Sequence, residues 1–422
     1  MFGVAILAGV FLVYALVSRR LRTTVISGPM IFVGAGLIFG HGLGAVTVEL
    51  VSEFPQLLLE GTLVIVLFSD AVLIDARSVR KEAFVPSRLL GLGLPLTIGL
   101  GLVLAALLFP ELDLWTAAVV AIILAPTDAA LGEAVVSNER VPRLIRQGLG
   151  VESGLNDGIA VPFLTIALAG AAGQMESGSG IARVFLEEIG WAVVAGLLVG
   201  LIGAWAVRFF SDKGWMGRHW RQVSIPALAL LAFGLADPVG GSGFIAAFVA
   251  GLVFGSKMRQ DYPEICDFSE GVAHLLTMLS FFVFGSLILG PQLSHLTWPI
   301  VVYSILSLTL VRVLPVGISL IGAGLRPASI AYLGWFGPRG LASLVFVGTV
   351  VEGASFPATD LILTIVAATV GLSVLAHGVS AWWGSNRYAT WFDEMEEAGE
   401  DMMEGMDVKH LAARPRIHGV RM

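Results

Sequence analysis

The sequence is dominated by apolar stretches that are long enough to cross the hydrocarbon core of a lipid bilayer. A helix needs about 20 mostly apolar residues for this, either as one run or as two broken halves. Hydrophobic residues make up 56% of the chain and charged residues 14%, and the mean hydropathy is +0.86. We therefore predict an all-α polytopic membrane protein with about 13 transmembrane helices. The predicted spans are residues 2–18, 24–42, 55–73, 87–109, 114–136, 147–172, 184–207, 223–236, 240–256, 271–290, 298–323, 328–351 and 358–383.

The distribution of basic residues predicts how these spans are oriented. Nearly all of the 25 Lys and Arg residues fall in alternate connections or in the tail, whereas the opposite connections hold only Arg183. Positively charged loops are retained in the cytoplasm, so we expect the amino terminus outside and the carboxyl terminus in the cytoplasm of a cell inner (plasma) membrane. The first apolar run lacks a preceding charge and a small-residue cleavage site, which favours a retained helix over a signal peptide.

Span six carries polar groups at the depth where a membrane helix is most apolar. These groups are Glu152, Ser153, Asn156 and Asp157. Their spacing of four residues places them as two adjacent stripes on one side of a helix. An ionised carboxylate at the bilayer centre costs about 2.5–3.5 kcal/mol, so this side needs polar partners or a wet cavity. The pattern indicates a functional site, and the alternative is a buried helix with one structural ion pair.

Two of the predicted spans are interrupted at matching positions. Pro126-Thr127-Asp128 breaks span five, and Gly337-Pro338-Arg339-Gly340 breaks span twelve. The offset of seven spans gives the two halves opposite topology, and inverted repeats with one interrupted helix each are typical of secondary transporters. We predict that the two broken helices cross at an ion site. The predicted organisation is a transmembrane domain over 1–386, with repeat one at about 1–172, a linker helix at about 184–207 and repeat two at about 223–386, followed by an acidic cytoplasmic tail over 387–422.

The residues at the first break and on span six have the chemistry of a cation site. Thr127 can offer a carbonyl and a hydroxyl oxygen, and Asp128 can cap the amide end of the neighbouring half-helix. Span six adds Ser153 and Asp157 beside them. Such oxygen ligands suit a hard cation, and removal of water from a carboxylate also favours its protonated form. One site can then hold either a cation or a proton.

The second break places a positive charge in the apolar interior. Arg339 needs a partner there, and Glu152 is the acidic residue that we expect to pair with it. This pair is predicted to be structural and to tie span twelve to span six, although desolvation offsets much of the attraction between two buried charges.

Four motifs in these segments resemble those of the monovalent cation/proton antiporters, in the branch of bacterial sodium/proton exchangers with an Asn-Asp pair. The resemblance covers nearly the whole membrane part. The motifs are Pro-Thr-Asp in span five, Val-Glu-Ser-Gly-Leu-Asn-Asp-Gly in span six, Gly-Ser-Gly-Phe-Ile-Ala-Ala-Phe-Val-Ala-Gly in span nine and Gly-Pro-Arg-Gly-Leu-Ala-Ser in span twelve.

The resemblance implies roles for individual residues. Asp157 is the expected ion and proton carrier, with Ser153 and Thr127 near the bound Na⁺. Asp70 falls near the position of the family's acidic residue on span three. The resemblance further implies alternating access, a role in pH homeostasis and a homodimer. Na⁺ is the expected cation, Li⁺ is possible, and a K⁺/H⁺ antiporter is the alternative.

The pair Asn156 and Asp157 bears on stoichiometry, because it leaves one titratable group at the carrier position. We therefore predict electroneutral exchange of one cation for one proton. Other classes considered are a passive cation channel lined by Asp70, Asp128 and Asp157, and an intramembrane aspartyl protease. We expect a transporter rather than an enzyme, with the lipid bilayer, the cation and the proton as its partners. No cofactor and no nucleic acid are expected, and the acidic tail is interpreted as a solvated appendage.

Overall fold

Helices account for the fold throughout the part of the chain that the structure describes. The computed structural model describes residues 2–21, 24–44, 53–74, 84–128, 131–173, 177–258, 262–352, 358–399 and 402–405, and these residues contain no β-strand. The prediction of an all-α protein is therefore confirmed.

The first half of the chain forms helices α1 to α9. Their bounds are α1 Phe2–Leu21, α2 Gly28–Ala35 with a π-helical continuation Gly36–Gly42, α3 Glu53–Leu73, α4 Phe84–Arg88 with a π-helical continuation Leu89–Gly93, α5 Leu94–Leu108, α6 Leu114–Ile123, α7 Glu133–Val136, α8 Arg143–Ala171 and α9 Ser177–Asp212.

The second half forms helices α10 to α18. Their bounds are α10 Arg218–Ala236, α11 Gly243–Met258, α12 Tyr262–Val283 with a π-helical continuation Phe284–Leu289, α13 Gly290–Gln292, α14 Trp298–Leu308, α15 Leu310–Ser319, α16 Pro327–Trp335, α17 Leu341–Glu352 and α18 Thr359–Glu397. Short 3₁₀ turns lie at Asp237–Val239, Leu293–His295 and Met403–Gly405.

The helices are long and apolar enough for a multi-pass membrane protein. Nine helical segments of the described residues have the length and hydropathy to cross a membrane, and shorter apolar helices lie at Gly28–Gly42, Leu114–Ile123, Gly243–Met258 and Leu341–Val351. Each predicted span contains at least one helix. The count of thirteen crossings stays a prediction, because these four segments are shorter than a full span.

The end of the last span differs from the sequence prediction. The last span was expected to end at residue 383, but α18 continues without interruption to Glu397. The connection between spans eight and nine is a tight turn: a 3₁₀ turn is followed by Gly240 in the left-handed region, with φ of 76°. Glycine adopts this conformation at no steric cost, so the chain can reverse there within a few residues.

The helices pack as two groups with the predicted site between them. In the first group, α3 packs against α10, α11 and α12, and α9 packs against α11. In the second group, α6 packs against α5 and α8, α14 and α17 pack against α18, and α15 packs against α16. Contacts of α3 with α8 and α17, and of α11 with α8, join the groups.

Glycines allow α11 to approach both of its neighbours in the first group. A Cβ atom on Gly251 would lie 2.5 Å from the carbonyl oxygen of Phe68 on α3, and one on Gly255 would lie 2.3 Å from that of Val72. On α9, a Cβ on Gly196 would lie 2.6 Å from the carbonyl oxygen of Ala246. Small residues at this spacing let membrane helices pack backbone to backbone, so the first group depends on dispersion contacts along α11.

We predict that Gly255→Ala destabilises the protein, because the added methyl group must push α11 away from α3. Overpacking of this kind costs about 1–3 kcal/mol. The matched control is Gly234→Ala on α10, where a Cβ meets no atom within 4 Å. Thermal unfolding of the purified protein in detergent should give a lower midpoint temperature for Gly255→Ala than for the wild type. The midpoint temperature of Gly234→Ala should equal that of the wild type. Equal midpoints for the two variants would contradict this packing.

Candidate ion-binding site

Two interrupted helices meet in the second group, as the sequence predicted. The first interruption follows α6 and contains residues 124–128, and the second separates α16 from α17 over residues 336–340. The breaks are hydrogen-bonded to each other: the Asp128 amide donates to the Pro338 carbonyl oxygen at 2.8 Å, and the Ser343 hydroxyl donates to the Ile123 carbonyl oxygen at 2.8 Å. Backbone groups freed at each break thus find partners at the other.

Asp128 caps the start of α17, which is the second half of the other broken helix. Its Oδ2 accepts from the Leu341 amide, and its Oδ1 accepts from the Leu131 amide at 3.1 Å. A carboxylate at a helix amino terminus satisfies amides that have no partner within the helix and interacts favourably with the helix dipole. Gly340 leaves space for this carboxylate, because a Cβ there would lie 2.0 Å from Oδ2 of Asp128.

Arg339 binds carbonyl oxygens at the opposite break rather than a carboxylate. Its Nη1 donates to the carbonyl oxygen of Ala125 and, at 3.1 Å, to that of Pro126, while its backbone amide donates to the Ser373 hydroxyl at 2.7 Å. The guanidinium is fully buried. A cation next to carbonyl groups at a helix carboxyl end is favoured by the helix dipole, so Arg339 completes the end of α6.

The predicted ion pair between Glu152 and Arg339 is wrong. Arg312 on α15 binds Glu152 through two bonds: Nη1 donates to Oε1, and Nη2 donates to Oε2 at 2.8 Å. Glu152 is 2% exposed and Arg312 3% exposed. A planar guanidinium matches a carboxylate in this two-bond geometry. Because Arg312 binds both carboxylate oxygens of Glu152, Glu152 is paired with Arg312 and not with Arg339. The pair ties α8 to α15.

Two other polar side chains of span six contact the first break. The Thr127 hydroxyl lies 2.9 Å from the Ser153 hydroxyl and accepts from Nδ2 of Asn156 at 2.7 Å. All three side chains are buried. Asn156 therefore has a structural contact with the break, and Thr127 holds the hydroxyl of Ser153 in place.

A small cavity lies beside these residues, at the junction of the two helix groups. Its volume is about 20 Å³, which is room for about one water molecule or one desolvated ion. The lining residues come from α3 and α12 on one side and from the first break, α8 and α17 on the other. They are Leu63, Val66, Leu67, Asp70, Asp128, Ser153, Gly154, Asp157, Thr277 and Leu341.

Asp157 provides this cavity with an acceptor that no neighbouring group satisfies. Its side chain is 7% exposed, and within the described part of the chain its Oδ1 has no hydrogen-bond partner. An unsatisfied, buried carboxylate oxygen is costly, and a bound cation or proton removes that cost. One cation or one proton would therefore be sufficient to neutralise this carboxylate.

The structure brings together some of the predicted site residues and separates others. Asp70, Asp128, Ser153 and Asp157 line one cavity. Thr127 and Asn156 lie behind Ser153, and Glu152 and Arg339 hold the surrounding helices without lining the cavity. Thr277 also lines the cavity, from α12, although its sequence context did not indicate a site residue. A single threonine in an apolar span gives no signal that separates it from other buried threonines.

This fold and this site define a class of protein: a polytopic membrane transporter with two broken helices packed against each other beside a buried carboxylate. The family model for transmembrane sodium/hydrogen exchangers matches residues 6–383. The chain therefore belongs to the sodium/hydrogen exchanger family, within the monovalent cation/proton antiporters.

Individual relatives cover most of this chain. The K(+)/H(+) antiporter NhaP2 of Shewanella sp. (strain MR-4) is 24% identical in an alignment of 381 positions that covers 89% of this chain and 64% of that protein. The Na(+)/H(+) antiporter NhaS2 of Synechocystis sp. is 28% identical in an alignment of 391 positions that covers 87% of this chain and 67% of that protein. The chain thus spans less than two thirds of the length of the NhaP2 relative.

The fold is that of a solved antiporter. The sodium proton antiporter MjNhaP1 of Methanocaldococcus jannaschii at pH 8 matches 94% of this chain and 98% of its own chain, with a TM-score of 0.71 and 20% sequence identity. An electron-microscopy structure of the same antiporter gives a TM-score of 0.73. At this identity the likeness establishes the shared fold.

We predict that removing Arg312 alone is more harmful than removing both members of its ion pair. Arg312→Met leaves the Glu152 carboxylate buried and unpaired, which costs about 3–5 kcal/mol. The double variant Glu152→Gln/Arg312→Met has no uncompensated charge and should recover most of this loss. Thermal unfolding in detergent measures both, and a double variant no more stable than Arg312→Met would contradict the pairing.

Proposed function

We propose that the protein is a secondary transporter that exchanges a monovalent alkali cation for a proton, with Asp157 as the carrier of both. The observation that carries this proposal is the unsatisfied Oδ1 of Asp157 beside a cavity with room for one small ion. A cation and a proton compete for the same carboxylate, so each crossing moves one or the other. Family membership supports antiport, and no cofactor is needed for such a cycle.

The proposed ligands of the cation are oxygen atoms. Asp157 supplies a carboxylate and Ser153 a hydroxyl, and both line the cavity. Thr127 belongs to the site through its contact with Ser153, whose hydroxyl it orients. Asp70 faces the same cavity from α3 and adds negative potential to it. Oxygen ligands of this kind suit hard cations.

The position of the cavity supports alternating access. Asp70 and Thr277 belong to the first helix group, whereas Ser153 and Asp157 belong to the second. A displacement of one group against the other changes which side of the membrane reaches the carboxylate, while the breaks stay intact within the second group. In transporters with inverted repeats, rigid movement of this kind around a fixed site produces alternating access.

We propose Na⁺ as the preferred cation, with Li⁺ as a second substrate. A cavity of about 20 Å³ favours a small, desolvated ion. The names of the relatives support more than one choice, because NhaS2 is a Na(+)/H(+) antiporter and NhaP2 is a K(+)/H(+) antiporter. Exchange of K⁺ for protons is therefore the second candidate function.

The location of the protein and its assembly are also part of the proposal. We propose an inner (plasma) membrane protein with its amino terminus outside and its carboxyl terminus in the cytoplasm, because of the bias in the basic residues. We also propose a homodimer. Helix α1 supports an interface with lipid or a second copy, since Leu12, Val13 and Leu16 are all more than 60% exposed on its surface.

We predict that Asp157→Asn abolishes exchange, because the amide can neither be protonated reversibly nor balance the charge of a cation. Purified protein in liposomes, assayed by dequenching of a pH-sensitive dye with Na⁺, Li⁺ and K⁺ in turn, should show only the protein-free rate. Asp237→Asn, which neutralises an exposed carboxylate in the turn before α11, is the matched control and should retain the wild-type rate. Exchange by Asp157→Asn would refute the carrier role, and cation flux without any counterflow of protons would favour a channel.

We further predict that exchange generates no net current. Asp128 is engaged by two amides and Asn156 is uncharged, and we assign the change of occupant to Asp157 because its Oδ1 has no donor among the described residues. One positive charge then crosses in each direction. Proteoliposomes on a solid-supported membrane should give no sustained current on a step in cation concentration, and the exchange rate should not respond to voltage. A voltage-dependent current would contradict one-for-one exchange.

A further inference from the structure

Helix α16, the first half of the second broken helix, begins without a local capping side chain. Arg326 occupies the N-cap position, makes no side-chain capping bond and is followed by Pro327. The first amides of a helix need acceptors from outside the helix, and Ser, Thr, Asp or Asn normally supplies one at the N-cap. An arginine side chain has no acceptor. The Ser329 and Ile330 amides bond the Arg326 carbonyl oxygen, and the Arg326 amide needs an acceptor from elsewhere in the chain.

Glu404 of the tail supplies the missing acceptor. Its Oε1 accepts from the Arg326 amide at 2.8 Å and from the Ser329 hydroxyl at 2.6 Å. In a capping box, an acidic side chain at the third helical position accepts from the N-cap amide. Here Ser329 occupies that position, and a carboxylate 78 residues beyond Arg326 takes the acidic role. A negative charge at this end of the helix also interacts favourably with its dipole.

The tail segment 402–405, which we call the docked segment, occupies a defined place on the second helix group. Glu404 is 2% exposed and Met402 6% exposed, so the prediction of a solvated appendage is wrong for this part of the tail. Ser329 also bonds the Tyr388 hydroxyl at 2.8 Å, which links α16 to α18. A Cβ atom on Gly324 would lie 3.1 Å from the sulfur atom of Met403.

Helix α16 connects the docked segment to the ion site. The helix is nine residues long and ends at Trp335, whose carbonyl oxygen accepts from Nε2 of His377 at 3.0 Å. The second break follows at once, with Pro338 bonded to Asp128 and with Leu341 lining the cavity. A shift of α16 along its axis would therefore move the second break and, with it, Leu341 in the wall of the cavity.

We propose that Glu404 is a positioning residue for exchange: it fixes the start of α16 and, through that helix, the geometry of the second break at the ion cavity. This proposal rests on the proposed function. The docked segment contacts α8, and Glu404 bonds residues at the start of α16, so both helices lie in the second group. The cap therefore stays in place when the two groups move relative to each other. Its loss should weaken cation binding more than it slows the turnover step.

Two truncations that differ by four residues test this proposal. Removal of 406–422 retains Glu404 and should leave the KM for the cation unchanged in proteoliposomes. Removal of 402–422 deletes the docked segment and should raise KM about fivefold, the factor that corresponds to a typical lost cap, with a smaller change in kcat. Equal KM values for the two truncated proteins would overturn the proposal.

Point variants separate the cap from a general effect of the tail. Glu404→Ala removes the acceptor and should reproduce the larger truncation, whereas Glu404→Gln keeps a carbonyl oxygen for Arg326 and Ser329 and should restore most of the wild-type KM. The matched control is Glu397→Ala, which removes an exposed carboxylate at the end of α18 and should have no effect. A wild-type KM in Glu404→Ala would overturn the proposal.

Amide hydrogen exchange tests the cap independently of transport. The Arg326 amide should exchange faster in Glu404→Ala than in the wild type or in Glu397→Ala, because its acceptor is gone. Unchanged protection of this amide would refute the cap even if transport is active. Absence of cation/proton exchange by the wild-type protein would instead refute the proposed function, so the two failures are distinguishable.

Discussion

The structure depends on the need to satisfy backbone groups where two helices are broken inside an apolar interior. Each break leaves amides or carbonyls that water cannot reach, and each unsatisfied group costs several kcal/mol. Each break contributes one charged side chain that binds backbone groups at the other break. Asp128 from the first break binds the amide that starts α17, and Arg339 from the second binds the carbonyls that end α6. Neither break is satisfied without the other, so the geometry beside Asp157 is fixed by both.

Much of this arrangement could be predicted from the sequence, because polar residues inside long apolar segments have few alternatives. Prolines and charges in the middle of two spans indicated the breaks, and the structure confirms both. Asp128 was expected to cap a half-helix because a carboxylate is the natural acceptor for free amides at that depth. The four-residue spacing on span six likewise placed Ser153 and Asp157 on one side of α8, where they line the cavity.

The remaining features depend on how helices rotate and approach one another, which no local pattern states. Glu152 had two arginines within the same bundle, and the rotation of α15 gives it Arg312 rather than Arg339. Thr277 reaches the cavity only because α12 packs against α3. Glu404 lies in an acidic run that is typical of a solvated surface, and its burial follows from an uncapped helix 78 residues earlier. The composition of such a run does not indicate which of its residues is buried or what that residue contacts.

Each charged side chain at the two breaks, like Glu152 beside them, meets groups of opposite polarity. Glu152 pairs with Arg312, whereas Asp128 binds backbone amides and Arg339 binds backbone carbonyl oxygens. An uncompensated ion in a medium of low polarisability carries a large self-energy, whereas a balanced set has only a short-ranged field. Asp157 differs from these residues, because its Oδ1 meets no donor within the described part of the chain. If Asp157 is the carrier, as we propose, the second group can shift within the hydrocarbon slab with little dielectric penalty only while this carboxylate is occupied. In the proposed cycle, an empty carboxylate would be held in place by its own charge, and this restraint would prevent uncoupled leakage.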